Sequence, residues 1–156
     1  MQQSQIQLLT LAQLSAGQEW RLSLAHDRDH HLLIWITRGQ GRLLLNGQRR
    51  GLGAYNALWI PARSLFAMEL GFQCVGHAVV IPENTRLRLP DIPRQLRIRE
   101  VQAQAELSAL IELAQRELHQ GRPLQQDALE AQAALMSVWL HRQIMSEDHI
   151  TARPNA

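Results

Sequence analysis

Two rhythms of apolar and polar residues divide the chain. From about residue 5 to residue 82, apolar positions come in short runs or alternate with polar ones. Glycine or proline interrupts them at Gly39, Gly41, Gly47, Gly51, Gly53, Pro61, Gly71 and Pro82. Short runs between turn formers are strand signals, because side chains alternate between the two faces of a strand. The predicted strands are LLIWIT, RLLLNG, YNALWIP, LFAMEL and CVGHAVVIP. Residues 34–38 and 42–46 make the strongest predicted hairpin, with Gly39 and Gly41 supplying the positive φ angles of a tight connection. Asn46-Gly47 is the sequence of a type I′ turn, so a second hairpin is expected and the two together predict a meander. Strands at this spacing predict an antiparallel sandwich or small barrel.

From about residue 101 to residue 147 the period lengthens to that of a helix. Leu107, Leu110, Ile111, Ala114 and Leu118 fall on one face, and Gly121 is a natural stop. Pro123 is placed to open a second helix over 123–146, since proline is tolerated in a first turn. Leu124, Ala128, Ala131, Leu135 and Val138 line one stripe of it, which Met136, Trp139, Leu140 and Ile144 widen. So broad a stripe buries more than one surface. Leu135, Met136, Trp139 and Leu140 are therefore read either as cover for the strands or as a self-association face. Between the two rhythms lies RLRLPDIPRQLRIRE, read as a proline-interrupted connector or a basic patch.

Composition narrows the class. With 156 residues, 46% hydrophobic and 19% charged, the chain is sized and composed for one folded domain. The expected division is a β-barrel over 1–95, a two-helix appendage of the same structural domain over 96–148, and a flexible tail over 149–156. All 16 cationic residues are arginine, yet the net charge is only +2, too weak a balance to predict a nucleic-acid binder by itself. No apolar run is long enough to span a bilayer and no secretion signal opens the chain, so a cytoplasmic location without membrane contact is expected. The single cysteine, Cys74, reads as a small buried hydrophobe.

The stretch HDRDHH, residues 26–31, raises the question of a metal. Followed by the hairpin glycines and by LGAYNALWIPARSLFAMEL, it resembles the two motifs of the cupin superfamily. It is particularly similar to the N-terminal domain of AraC-type transcription regulators, where a WIP-like triplet, here Trp59-Ile60-Pro61, precedes a turn, and where two helices follow the barrel. The resemblance covers about residues 22–146. It implies a mainly β fold, a small antiparallel cupin-type, jelly-roll-like barrel followed by two C-terminal α-helices. In cupins, two histidines, a glutamate and a third histidine hold one divalent metal. Carried onto this chain in register with Gly39 and Gly41, those positions fall on His26, Arg28, Leu32 and Phe66, and the second motif's glycine falls on Arg63. A guanidinium stays protonated and has no lone pair for a metal, and leucine and phenylalanine cannot ligate. His26, His30 and His77 remain a conceivable three-nitrogen set, but the expectation is no metal and no cofactor. His30 and His31 cannot serve together, because strand neighbours face opposite sides. His31, Asp27 and Asp29 read as solvent-facing or locally hydrogen-bonded, and His119, His141 and His149 as surface residues.

The resemblance implies a sensor rather than an enzyme. A barrel lined in part by His26, Arg28, His30, Phe66 and His77 offers a cation, imidazoles and an apolar wall. That suits a small-molecule effector such as a carboxylate or aromatic acid, because arginine grips carboxylates in two-point fashion. The expected protein is thus a sensing and dimerisation domain of an AraC-type regulator, a homodimer that reaches DNA only through a helix-turn-helix region absent from this chain. The alternatives are a stand-alone non-catalytic cupin binding protein and a cupin enzyme.

Overall fold

The computed structural model describes residues 5–15, 29–71 and 73–152. The chain divides into two compact units, residues 1–85 with 91–97 and residues 86–90 with 98–156. The first unit contains β1 (Gln7–Thr10), α1 (Leu11–Ser15), β2 (His30–Arg38), β3 (Gly41–Leu45), β4 (Gln48–Leu52), β5 (Asn56–Ile60), β6 (Phe66–Leu70), β7 (Val75–Pro82) and β8 (Arg94–Arg97). These form a five-stranded antiparallel sheet in the order β1-β7-β2-β5-β8 and a three-stranded one in the order β4-β3-β6. The unit is thus a cupin-like pair of sheets rather than one closed barrel.

All five predicted apolar segments become strands, but not with the predicted partners. Residues 34–38 and 42–46 do not form a hairpin, because β2 pairs with β5 and β7 while β3 pairs with β4 and β6. Gly39, at φ +100°, instead carries the chain from one sheet to the other, and a Cβ on it would stand 2.6 Å from the Cys74 Cα. The glycine is needed for close passage between sheets, and the meander is not formed. The Asn46-Gly47 turn is as predicted. Both residues have positive φ, 49° and 84°, and Leu45 pairs with Gln48 across them.

The core of this unit lies between the sheets. Leu32, Ile34 and Ile36 of β2, Leu58 and Ile60 of β5, and Ala78 and Val80 of β7 face Leu43, Leu45, Leu52, Phe66 and Met68 of the smaller sheet. Removing each large side chain from water contributes roughly 1.5–3 kcal/mol. Leu33, Trp35, Trp59, Val79 and Ile81, on the other face of the large sheet, are buried as well. Burial on both faces explains why LLIWI is an unbroken apolar run instead of an alternating one.

Three strands were not predicted: β1, the short QLLT segment at the edge of the large sheet, and two hidden by their polarity. β4 is QRRGL, exposed except at Leu52, and β8 lies in the arginine-rich stretch read as a connector, where only Leu96 is buried. Both lie at sheet edges, where charged side chains guard the open hydrogen-bonding rim.

The second unit contains α2 (Val101–Gln120) and α3 (Gln125–Ala152). Helix α2 buries Ala103, Leu107, Ile111, Ala114 and Glu117, and ends on Gly121 in the left-handed region at φ 61°. Helix α3 begins two residues later than predicted, because Leu124 sits at φ 66°, outside helical space. Its carbonyl accepts the first helical bond, from the Ala128 N–H at 3.0 Å. The Trp139 indole N–H donates to the Ala103 carbonyl at 2.9 Å and so ties α3 to α2. The Ser137 hydroxyl donates to the Arg88 carbonyl at 2.6 Å. Among the described residues no helix is long and apolar enough to cross a membrane.

Candidate ligand-binding site

Strand parity decides which side chains face the space between the sheets. On β2 the even positions face inward, so His30 is on the inner-face register at the end of the strand, in line with Leu32 and Ile34. Its Nδ1 stands 2.9 Å from an Asp29 carboxylate oxygen. Phe66 opens β6 on the inner face and is buried in the core, as is Leu32. His77 is not brought to them. Its neighbours Ala78 and Val80 are on the even, inward side of β7, so His77 lies on the opposite face, across from Trp35. Burial there lowers its pKa. The large sheet therefore separates His30 and His77, and the three-nitrogen set cannot converge. Among the described residues no group of three or more histidine, cysteine, aspartate or glutamate side chains is placed to hold a metal ion. His26 and Arg28 lie outside the described residues.

Besides His30, inner-face polar residues come from β4, β5 and β8. Arg50 of β4 pairs with inward Leu43, and its Nη2 donates to the Gln48 Oε1 at 2.9 Å. Asn56, buried at the start of β5, accepts from the Gly53 N–H at 3.2 Å and from the Gln95 amide at 3.0 Å. Gln95 also donates to the Gly51 carbonyl at 2.7 Å, joining the β8 and β4 edges. Arg97 occupies the inner-face register opposite Asn56. The signal for Arg50 was present in its spacing, two residues before inward Leu52. The space between the sheets is thus apolar in its body, with cationic and amide groups along one rim. These apolar side chains pack on one another as the core, so a ligand entering there would part them, with the rim groups placed to orient its polar end.

At the opposite end of β5 the WIP triplet leads into a tight corner. Arg63, on the position where cupins carry glycine, has φ 69° and so adopts the backbone that glycine favours. Its guanidinium grips Glu83 through two hydrogen bonds of 3.1 and 3.0 Å. His31, on the outer face, stacks on Trp59 with ring centroids 5.5 Å apart, and its Nδ1 accepts the Ala62 N–H at 2.9 Å. Burial lowers the His31 pKa, Glu83 opposes that, and His30 adds to it. Cys74 packs half-buried against the core, and burial pushes its thiol pKa up, as expected for a packing residue rather than a nucleophile.

On α3, the four residues read as a self-association face separate. Met136, Trp139 and Leu140 are buried within the chain, whereas Leu135 is 55% exposed. Val138 and Met145 are exposed one and three turns further along the same side.

Two antiparallel sheets with an apolar interior, followed along the chain by two helices, make a cupin-like architecture. The AraC-like ligand binding domain family matches residues 10–141, and the chain belongs to that family. Among solved structures, Vibrio cholerae ToxT bound to an unsaturated fatty acid is similar at 9% identity and a TM-score of 0.48, covering 94% of this chain and 57% of ToxT. ToxT bound to (E)-4-(8-methylnaphthalen-1-yl)but-3-enoic acid gives 9% and 0.47, with 91% and 57% covered. The chain therefore spans 57% of the length of these ToxT structures. No curated protein matches it.

Proposed function

We propose that this chain is the effector-sensing part of an AraC-type transcription regulator, and that its effector is an acid with an apolar body. The observation that carries this reading is the lining of the space between the sheets. Leu43, Leu58, Phe66 and Met68 supply apolar walls, and Arg50 supplies an inner-face guanidinium at the rim. Arg28, two residues before His30 in the sequence, is a second candidate for the carboxylate. The cupin metal positions on Arg28, Leu32 and Phe66 carry no ligating atoms, which supports sensing without metal chemistry or catalysis. His26 and His30 then serve as hydrogen-bonding groups, and His77, on the other face, has no part in the pocket.

Thermal unfolding with a panel of aliphatic and aromatic acids tests the reading. A stabilising acid should lose its effect in Arg28→Ala or in Arg50→Ala. An acid that stabilises both variants as well as it does the parent chain excludes this mode of anchoring.

Self-association through α3 is part of the same proposal, with Leu135 at its centre beside Val138 and Met145. Met136, Trp139 and Leu140 would support that surface from beneath, since they are buried. In the parent regulator, DNA contact would fall to a helix-turn-helix region outside these 156 residues.

A further inference from the structure

The corner between β5 and β6 is the link through which the chain passes from the large sheet to the small one, and it is held by an unusual set of contacts. The Ala62 N–H donates to a ring nitrogen, the His31 Nδ1, at 2.9 Å. A histidine nitrogen that accepts is unprotonated, so the proton of the neutral ring sits on Nε2. The ring cannot pivot freely, because it stacks on Trp59 with an interplanar angle of 23°. The next residue, Arg63, is held at φ 69°, a strained angle for a side chain with a Cβ. The corner ends at Leu65, whose carbonyl accepts the Asn46 N–H at 3.1 Å, and then delivers Phe66 into the core.

We infer that neutral His31 is a proton-operated latch on this corner: when the ring takes up a second proton, Nδ1 becomes a donor, Ala62 loses its acceptor, and the 61–65 segment is released. Two N–H groups cannot share one hydrogen bond, so the protonated ring and the present backbone arrangement exclude each other. The strained Arg63 backbone stores the tendency to open. The charged and titratable groups about the corner are His30, the strand neighbour on the opposite face of β2, Asp29 just before β2, which acts on Arg63, Glu83 after β7, and Arg63 itself. Glu83 favours the cation, but Arg63 already engages both of its oxygens. Burial opposes the cation most strongly and His30 adds to that, so the latch stays closed at neutral pH and opens only in acid. Release would loosen the β6 end that carries Phe66, making the inner wall of the smaller sheet responsive to pH. The latch stands on contacts within the protein and does not depend on any ligand.

Nuclear magnetic resonance of the whole chain tests this directly. At pH 7.5 the His31 ring should show protonated Nε2 and bare Nδ1. Hydrogen exchange at Ala62, corrected for the intrinsic rate, should lose about tenfold or more in protection between pH 7.5 and pH 5.0, the equivalent of one hydrogen bond. The Ile34 amide in the middle of β2 serves as the reference and should change less. His31→Asn keeps an acceptor near the Nδ1 position but cannot titrate, so its Ala62 protection should stay constant over the same range. Should that variant fail to fold, the parent spectrum decides, because the Ala62 amide proton must titrate with the same midpoint as the His31 ring. A protonated Nδ1 at pH 7.5, an Ala62 amide indifferent to the ring's titration, or the same pH dependence in His31→Asn would overturn the inference.

Discussion

At Leu124 and Arg63 the backbone adopts a conformation that the side chain disfavours. Leu124 is 73% exposed, so replacing it removes little packing. Leu124→Gly should therefore raise stability by up to about 1 kcal/mol, read from the midpoint of urea unfolding. Arg63 differs because it also grips Glu83. Comparing Arg63→Gly with Arg63→Ala removes that pair in both and isolates the backbone, and the glycine variant should be the more stable by about 1 kcal/mol. Gly39 is the reverse case. Gly39→Ala drives a Cβ onto the Cys74 backbone at a φ of +100° and should cost about 2 kcal/mol or more. The positive φ of Gly39 and Gly47 was legible in the sequence, as was the opposition of His30 and His31 across β2; Gly41 does not share that φ and is instead needed for close approach to the Glu69 carbonyl, where a Cβ would stand at 2.6 Å. The face of His77 was not, because β7 is buried on both sides and its run VGHAVVIP carries no alternation to read.

Elements were legible where burial imposes a period. Helix α2 was found with its Gly121 stop, and the five apolar strands were found as strands, because each must present a continuous apolar face. The edge strands β4 and β8 were missed for the same reason in reverse: QRRG and RQ are solvated, and their pairing is carried by backbone groups that leave no trace in side-chain pattern. The start of α3 was misplaced because Pro123 fits a first turn equally well wherever the helix begins. Trp139 illustrates what parity alone does not tell. It lies on the broad stripe, but its indole N–H is spent on the Ala103 carbonyl. Trp139→Phe should lower stability by about 1–2 kcal/mol through loss of that bond, whereas Trp139→Glu would bury a charge and unfold the helix pair. The proposed dimer is better tested at Leu135. Light scattering should give twice the chain mass for the parent protein and a single chain mass for Leu135→Glu. A monomer in both cases would refute the self-association surface.

For the whole molecule, the fold class followed from the switch of period between residues 82 and 101 and from the resemblance to AraC-type regulators, which the family match bears out. The connectivity between sheets did not follow, since a glycine-rich link looks alike whether it closes a hairpin or crosses a sandwich. Of the proposed site, the inward placement of Phe66 could be read from the sequence, whereas Arg50 lies on a solvated edge strand whose pairing leaves no mark in the side-chain pattern. The molecule as a whole should also respond to acid. His31 and His77 both have pKa values lowered chiefly by burial, whereas in the unfolded chain each titrates near 6.5. Below that value the unfolded chain takes up protons that the folded one resists. Stability is therefore fully present above pH 6.5 and is lost as the pH falls below it through the lowered folded values. Urea midpoints at pH 7.5, 6.5 and 5.5 should fall in that order, and a midpoint that rises towards pH 5.5 would contradict the assignment.

The central proposal is that the interior between the sheets takes an acid with an apolar body, and thermal unfolding with the best-binding aliphatic or aromatic carboxylic acid and its methyl ester tests it most directly. A ligand present at about 100 times its dissociation constant adds about 2.7 kcal/mol, so the acid should raise Tm by roughly 5–10 °C. The ester, which keeps the apolar body but not the charge, should raise it much less, and Arg50→Ala should blunt the response to the acid. No shift with the acid, or equal shifts with acid and ester, would contradict the claim.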